Sequence, residues 1–138
     1  MNHQVNFAVK HNYDSRKVGI NIKTILRRND LFVVLNAKID TGSEFCLFAR
    51  ELGEALDIEI ESGYQKHFST LAGNLVGFSH SVELETLGLK FDTFVYFAQD
   101  YSLNRNLLGR QGWLQLVTLG LNDYKSEIYI NPQDESFL

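Results

Sequence analysis

Hydrophobic and polar positions follow strand-like patterns over most of the chain. Residues 31–39 are a nearly continuous run of apolar and β-branched side chains, which is typical of a buried strand. Residues 64–71 and 75–85 flank Ala72-Gly73-Asn74, a sequence that favours a hairpin turn. The pattern therefore predicts a buried strand followed, later in the chain, by a long hairpin.

Alternation with a period of two predicts further strands. Residues 89–97 carry alternate apolar positions, and residues 117–121 and 127–130 form a last hairpin around Asn122-Asp123. In the N-terminal region, alternating apolar residues at 18–22 predict one more strand.

Only two short stretches have helical spacing. In the first, the spacing i, i+4, i+7 and i+8 places four apolar residues on one face, namely Phe48, Leu52, Ala55 and Leu56. A second short helix is predicted after Gly109, through Leu114. Many short strands with glycine turns favour a barrel or a closed sandwich, so the fold class is mostly β with two short helices.

Composition fits one globular domain over residues 1–138. The chain is 44% hydrophobic and 22% charged, and it has no linker, repeat or low-complexity stretch. Its N-terminus lacks a signal pattern, and no apolar run approaches the roughly 20 residues of a membrane span. These features predict a cytoplasmic protein without a membrane partner.

Charge and rare residues exclude several kinds of chemistry. The net charge of -4 disfavours nucleic acid as a partner, because phosphate binding needs a basic surface. Cys46 is the only cysteine, and its apolar neighbours predict packing rather than nucleophilic chemistry. The four histidines show no metal-ligand spacing, so no metal is expected.

Candidate chemistry lies directly after the most hydrophobic strand. Residues 40–43 are Asp-Thr-Gly-Ser, and aspartate and glycine at a strand end are also ordinary turn formers. Residues 106–110, Asn-Leu-Leu-Gly-Arg, follow later and precede the second predicted helix. The hairpin at 64–80 lies between the two motifs.

These three parts, in this order, resemble the retropepsin-like aspartic proteases. Asp-Thr-Gly-Ser matches the catalytic motif of that family, and the hairpin falls where the family carries its flap. The resemblance covers about residues 31–130 and is greatest to small single-domain bacterial members, which share the stretch at 105–113. It implies a closed β-barrel of the retropepsin-like acid protease type, with a flap hairpin and two short helices.

The resemblance implies an aspartic endopeptidase with Asp40 as its catalytic carboxylate. Such an enzyme needs two carboxylates that share one proton, so that one activates a water and the other polarises the scissile carbonyl. This chain has one Asp-Thr-Gly, and a two-fold dimer places the same residue twice at the axis. The implied partners are a second copy of the chain and a peptide or protein substrate, with no cofactor.

Residues beside Asp40 also receive roles from the resemblance. Thr41 is expected to form hydrogen bonds across the two-fold axis. Gly42 is expected to permit a tight turn, and Ser43 to donate to the outer oxygen of Asp40.

The second motif is expected to support this loop. In the family, the segment matching Leu107, Leu108 and Gly109 packs beneath the catalytic loop. An acidic residue at the position of Glu44 pairs there with the arginine matching Arg110. The alternative for these two charges is an exposed position that contributes little.

The flap is expected over residues 68–77, with Gly73 at its tip. The residues expected to cover the substrate are Phe68, Leu71, Leu75 and Val76. The same segment could equally be an ordinary surface hairpin.

A different class of function also fits the sequence. The same dimeric fold could be a catalytically silent peptide- or protein-binding module. A third hypothesis is that the protein is an enzyme that is active on a single partner protein. Peptide binding and cleavage, each measured with Asp40 replaced, would distinguish the first two.

Overall fold

The computed structural model describes residues 1–70, 73–134 and 136. Within these residues the chain is mostly β, as the sequence predicts. The strands are β1 Val9–Asn12, β2 Asn21–Arg28, β3 Leu31–Ile39, β4 Leu47–Phe48, β5 Tyr64–Thr70, β6 Gly73–Thr86, β7 Leu89–Ala98, β8 Leu107–Leu108, β9 Val117–Asn122 and β10 Glu127–Pro132. The helix α1 spans Arg50–Ala55, and short 3₁₀ turns lie at Ile60–Ser62 and Leu114–Leu116.

The strands form two sheets. In the smaller sheet β10 lies between β1 and β9, and both pairings are antiparallel. The larger sheet has seven strands in the order β2-β3-β8-β4-β7-β6-β5. β2 also pairs with β6 through residues 24–27, so along this stretch β2 lies between β3 and β6. Most neighbours are antiparallel, but β8 runs parallel to β3, and β4 runs parallel to β7.

Alternation along the strands sends one set of side chains into a shared core. β2 buries Ile22, Thr24 and Leu26, whereas the intervening residues are more exposed. Residues from both sheets join the same buried cluster, including Phe97 of β7 and Ile128 of β10. The two sheets therefore share one core, which holds the ends of β3 and β8 in place.

Two sequence expectations differ from the structure near the N-terminus and after Gly109. The predicted strand at 18–22 begins at Asn21 and runs further, whereas Val18 is 93% exposed. Gly19 adopts a positive φ of 76°, which interrupts the extended chain between them. β1 was not expected, because its four residues are too few for a clear pattern. The second predicted helix is the short 3₁₀ turn at Leu114–Leu116.

Trp113 is fully buried, and its indole N–H is satisfied by one side chain. The Trp113 Nε1–H donates to Thr86 Oγ1 at 2.9 Å, and both residues are 0% exposed. A buried donor without an acceptor costs more than an ordinary hydrogen bond contributes. The hydroxyl of Thr86 thus allows a large aromatic side chain to close the core without an orphaned polar atom.

Replacing Thr86 with Val is therefore expected to lower the free energy of unfolding by about 1–3 kcal/mol. Urea denaturation measures this loss. Thr24→Val is the matched control, because Thr24 is the cross-strand partner of Thr86 and is equally buried. The Thr24 hydroxyl donates to the carbonyl of Ile22 at 3.3 Å, so its removal orphans no donor. Equal losses in the two variants would contradict this role of Thr86.

None of the helices in the described part of the chain combines the length and the apolar character that crossing a membrane requires.

Candidate active site

The loop that carries Asp40 begins where β3 ends. β3 continues its parallel pairing with β8 up to this point, and the Asp40 N–H donates to the carbonyl of Leu108 at 3.0 Å. The Ser43 N–H then donates to the carbonyl of Asp40 at 3.1 Å, which closes a tight turn. The end of a buried strand therefore fixes the backbone of Asp40.

The carboxylate of Asp40 is also oriented by its own turn. The Gly42 N–H donates to Asp40 Oδ1 at 3.0 Å. Asp40 is half-buried, whereas Thr41 and Gly42 are exposed on the surface of the single chain. The arrangement holds one carboxylate at a surface loop in a defined rotamer, as acid–base chemistry requires.

The expectation for the Ser43 side chain is wrong within this chain. The Ser43 hydroxyl donates to the carbonyl of Phe45 at 2.7 Å and not to Asp40. Serine side chains readily bond to backbone groups two residues away, and this local bond competes with a longer reach. The backbone of Gly42, rather than the Ser43 side chain, supplies the hydrogen bond to Asp40.

The Leu-Leu-Gly segment lies against the Asp40 loop. Leu108 is fully buried in β8, and Gly109 directly follows it. A Cβ added at Gly109 would lie 2.2 Å from the carbonyl oxygen of Phe45 and 2.8 Å from that of Ser43. Only glycine allows two backbone segments to approach this closely. The structure thus brings the two sequence motifs together.

Backbone hydrogen bonds join the residues that follow each motif. The Arg110 N–H donates to the carbonyl of Ser43 at 2.9 Å, and the Gln111 N–H donates to that of Glu44 at 2.8 Å. The side chains of Glu44 and Arg110 are exposed, and the ion pairs found in residues 1–70, 73–134 and 136 do not join them. The expected ion pair is absent because a pair of exposed, flexible charges gains little, and the backbone already holds the contact.

Cys46 lies beneath both motifs. Its side chain is 0% exposed, and the Gly109 N–H donates to its sulfur at 3.4 Å. Burial raises the pKa of the Cys46 thiol to about 12, so the thiol stays neutral near neutral pH. The residue therefore packs the loop interface, and its protonated sulfur is a poor nucleophile.

The hairpin between the motifs is formed by β5 and β6. Their register runs from Tyr64 opposite Ser79 to Thr70 opposite Gly73, and it places Phe68 opposite Leu75. Gly73 has a φ of 125°, a conformation that suits a hairpin end.

The expected flap residues are only partly free to cover a ligand. Leu71 lies outside the described residues. Phe68 and Leu75 are half-buried on the hairpin, whereas Val76 packs against the core and belongs to its margin.

An aromatic cluster, which the sequence reasoning missed, joins the hairpin to the Asp40 loop. The ring of Phe45 packs edge-on against Phe68 and Tyr96, with centroid distances of 6.2 and 5.0 Å. Lys66 Nζ lies 4.8 Å from the centroid of Phe45. A groove of about 420 Å³ borders the cluster, with Tyr64 and Phe94 on its rim. The position of Phe45, two residues after Asp-Thr-Gly-Ser, was the available signal.

The described part of the chain contains no cluster of side chains that could bind a metal ion. No group of three or more His, Cys, Asp or Glu side chains there is placed to hold a metal ion. The site accordingly consists of a carboxylate, backbone donors and apolar support.

Comparison with solved structures identifies the architecture. A retropepsin-like aspartic protease from Rickettsia conorii superposes with a TM-score of 0.64 and 14% sequence identity, covering 91% of this chain and 99% of that one. The chain has the retropepsin-like fold. The EIAV protease, solved in complex with the inhibitor HBY-793, matches with a TM-score of 0.54 and 21% identity, covering 72% of this chain and 88% of that one.

These two structures confirm the resemblance predicted from the sequence motifs. No protein-family model and no curated protein matches the chain. At identities of 14% and 21%, what the retropepsin-like structures share with this chain is the fold. Roles for individual residues therefore follow from the geometry of this chain.

Proposed function

We propose that this protein is an aspartic endopeptidase that acts as a homodimer, with Asp40 of each copy supplying half of the catalytic dyad. One observation carries the proposal. On a retropepsin-like fold, Asp40 lies at the end of β3 with its carboxylate held by the Gly42 N–H, above a closely packed Leu-Leu-Gly segment.

The chemistry requires two such carboxylates. Like charges about 3 Å apart cannot both ionise cheaply, so the pair holds one proton between its two members. The ionised member takes a proton from a water molecule, and the water oxygen attacks the scissile carbonyl carbon. The protonated member donates to the carbonyl oxygen and later supports proton transfer to the leaving amine.

A two-fold axis beside the Asp40 loop would complete the pair. Thr41 and Gly42 are exposed in the single chain, so a second copy can approach this loop. In the proposed dimer the Thr41 side chains form hydrogen bonds across the axis. The proposal also takes the larger sheet as a closed barrel, which the pairing of β2 with both β3 and β6 supports.

The hairpin of β5 and β6 is proposed as the flap. The aromatic cluster joins Phe68, which lies two residues before the Thr70 end of β5, to Phe45 and Tyr96, so the far part of the hairpin lies beside the Asp40 loop. A closed lid excludes water and strengthens electrostatic interactions at the dyad. The substrate would lie extended between the hairpin and the Asp40 loop, pairing through its backbone like an added strand.

Dilution tests the dimer. We expect the specific activity of the wild-type protein on a fluorogenic peptide to fall when the chain is diluted below its dimer dissociation constant. A tandem variant, with two copies joined by a flexible linker, should keep its specific activity on dilution because association becomes intramolecular. Sedimentation velocity would measure the dimer directly. A strict monomer that cleaves peptides at a constant specific activity would contradict the proposal.

The alternative, a silent peptide-binding module, has one observation in its favour. Tyr64 is 84% exposed and Phe94 is 67% exposed on the rim of the aromatic groove, as suits a surface that binds without cutting. This function predicts peptide binding that is equal in the wild-type protein and in Asp40→Asn, with no cleavage at acidic or neutral pH.

A further inference from the structure

A second pocket, of about 380 Å³, shares no lining residue with the aromatic groove. Its polar lining consists of two cations and four amides: Lys38, Arg105, Asn21, Asn36, Asn104 and Asn106. None of the described residues that line it is an aspartate or a glutamate. The lining thus offers several hydrogen-bond donors and a net positive charge.

The pocket is close to the candidate catalytic carboxylate. Lys38 lies on β3 two residues before Asp40, which directly follows the strand, so the two residues are about 7 Å apart along the chain. The opposite wall is tied to this strand, since the Lys38 N–H donates to the carbonyl of Asn106 at 2.8 Å. The Asn106 side chain is itself held, because its Oδ1 accepts from the Ala49 N–H at 2.9 Å.

The two cations have no acidic partner among the described residues. The ion pairs found there involve Lys10, Arg16, Arg27 and Arg50. The stem of Lys38 packs along the backbone of Gly19, where an added Cβ would lie 2.9 Å from its Cε. Lys38 as a whole is half-buried, and it lines the pocket. A cation in such a place attracts an anion more strongly than one in open water.

We propose that this pocket receives an acidic side chain of the substrate, so the protein prefers glutamate or aspartate within about two residues of the scissile bond. This inference rests on the proposed peptidase function and specifies its substrate. In a two-fold dimer the pocket occurs once on each side of the dyad. The preference then applies on both sides of the scissile bond.

Matched peptides that differ only in Glu or Gln at these positions test the proposal. For the wild-type protein we expect kcat/KM to be about ten-fold higher for the Glu peptide, the factor of one charge-assisted hydrogen bond at a partly exposed site. The double variant Lys38→Met with Arg105→Gln should bring this ratio close to one, while methionine keeps the packing of the lysine stem. Lys90→Met is the control, because Lys90 is an exposed lysine on β7, and it should leave the ratio unchanged.

Three further measurements test the pocket, and the first two make the result independent of turnover and of folding defects. Asp40→Asn should bind the Glu peptide about ten-fold more tightly than the Gln peptide, a gap that narrows at high salt because exposed charges are screened. Lys38→Met with Arg105→Glu should reverse the preference towards a Lys peptide, a gain that an unfolded protein cannot produce. Inorganic phosphate should inhibit cleavage of the Glu peptide more than that of the Gln peptide.

The outcomes separate this inference from the proposed function. Equal cleavage of the Glu and Gln peptides by the wild-type protein would overturn the acidic preference and leave the peptidase intact. Phosphate binding without any preference for the Glu peptide would show a site for free anions and would also overturn it. Failure to cleave any peptide would overturn the proposed function, and the inference with it.

Discussion

Asp40→Asn is expected to lower kcat for peptide cleavage by on the order of 10³-fold or more. Asparagine has nearly the same shape, and its side-chain oxygen can still accept the hydrogen bond from the Gly42 N–H. The fold and the loop should therefore persist. The variant lacks the ionised carboxylate that takes the proton from water, and two amides cannot share an acidic proton.

The matched control is Asp100→Asn, because Asp100 is an exposed aspartate outside the Asp40 loop. It should cleave like the wild-type protein, and both variants should unfold at similar urea concentrations. The wild-type pH profile should be bell-shaped, because one member of the pair must be ionised and the other protonated. Equal rates for Asp40→Asn and the wild type would remove Asp40 from the mechanism.

A mixing experiment adds a test of the shared site. When wild-type and Asp40→Asn copies exchange freely at equal concentrations, about a quarter of the dimers contain two wild-type copies. Activity per wild-type chain should then fall to about half, since half of the wild-type copies sit in mixed dimers. Activity that stays proportional to the wild-type copies would show that each chain works alone.

Gly109→Ala is expected to lower the free energy of unfolding by about 3 kcal/mol or more and to abolish most activity. The added Cβ would meet the carbonyl oxygens of Phe45 and Ser43, which belong to the backbone and cannot rotate away. Separating these segments would stretch the hydrogen bonds that Arg110 and Gln111 donate to them. The loop that carries Asp40 would lose the support on its inner side.

Gly88→Ala is the control for losing a glycine. Gly88 lies in the turn between β6 and β7, with a φ of 84° and no atom within 4 Å of an added Cβ. Alanine there should cost only the backbone strain, about 1–2 kcal/mol. Urea midpoints and circular dichroism compare the two variants. A loss at Gly109 no larger than that at Gly88 would show that the close approach is unimportant.

The strand pattern was predictable where the sequence marks both ends of an apolar run. β3 has the predicted bounds, because Asn29-Asp30 precede it and Asp40-Thr41-Gly42 follow it. The order of Asp-Thr-Gly-Ser, hairpin and Leu-Leu-Gly was sufficient to predict a fold that the solved structures share.

Contacts between segments that are far apart in the chain could not be predicted from the sequence. Phe45, Phe68 and Tyr96 are each ordinary apolar candidates for a core, and the pairings of β7 with β4 and, through β6, with β5 bring them together. Lys38 and Arg105 are likewise unremarkable in the sequence, since the parallel pairing of β3 with β8 creates the pocket between them. The direction of the Ser43 hydroxyl depends on local backbone geometry that no residue pattern specifies.

The buried sulfur of Cys46 offers a way to measure motion of the Asp40 loop. It is the only thiol in the chain and lies where the Gly109 N–H meets the underside of the Asp40 loop. Alkylating reagents react with thiolates that reach solvent, so modification has to wait until those two segments part. The rate of Cys46 alkylation would therefore report how often the Asp40 loop separates from Gly109.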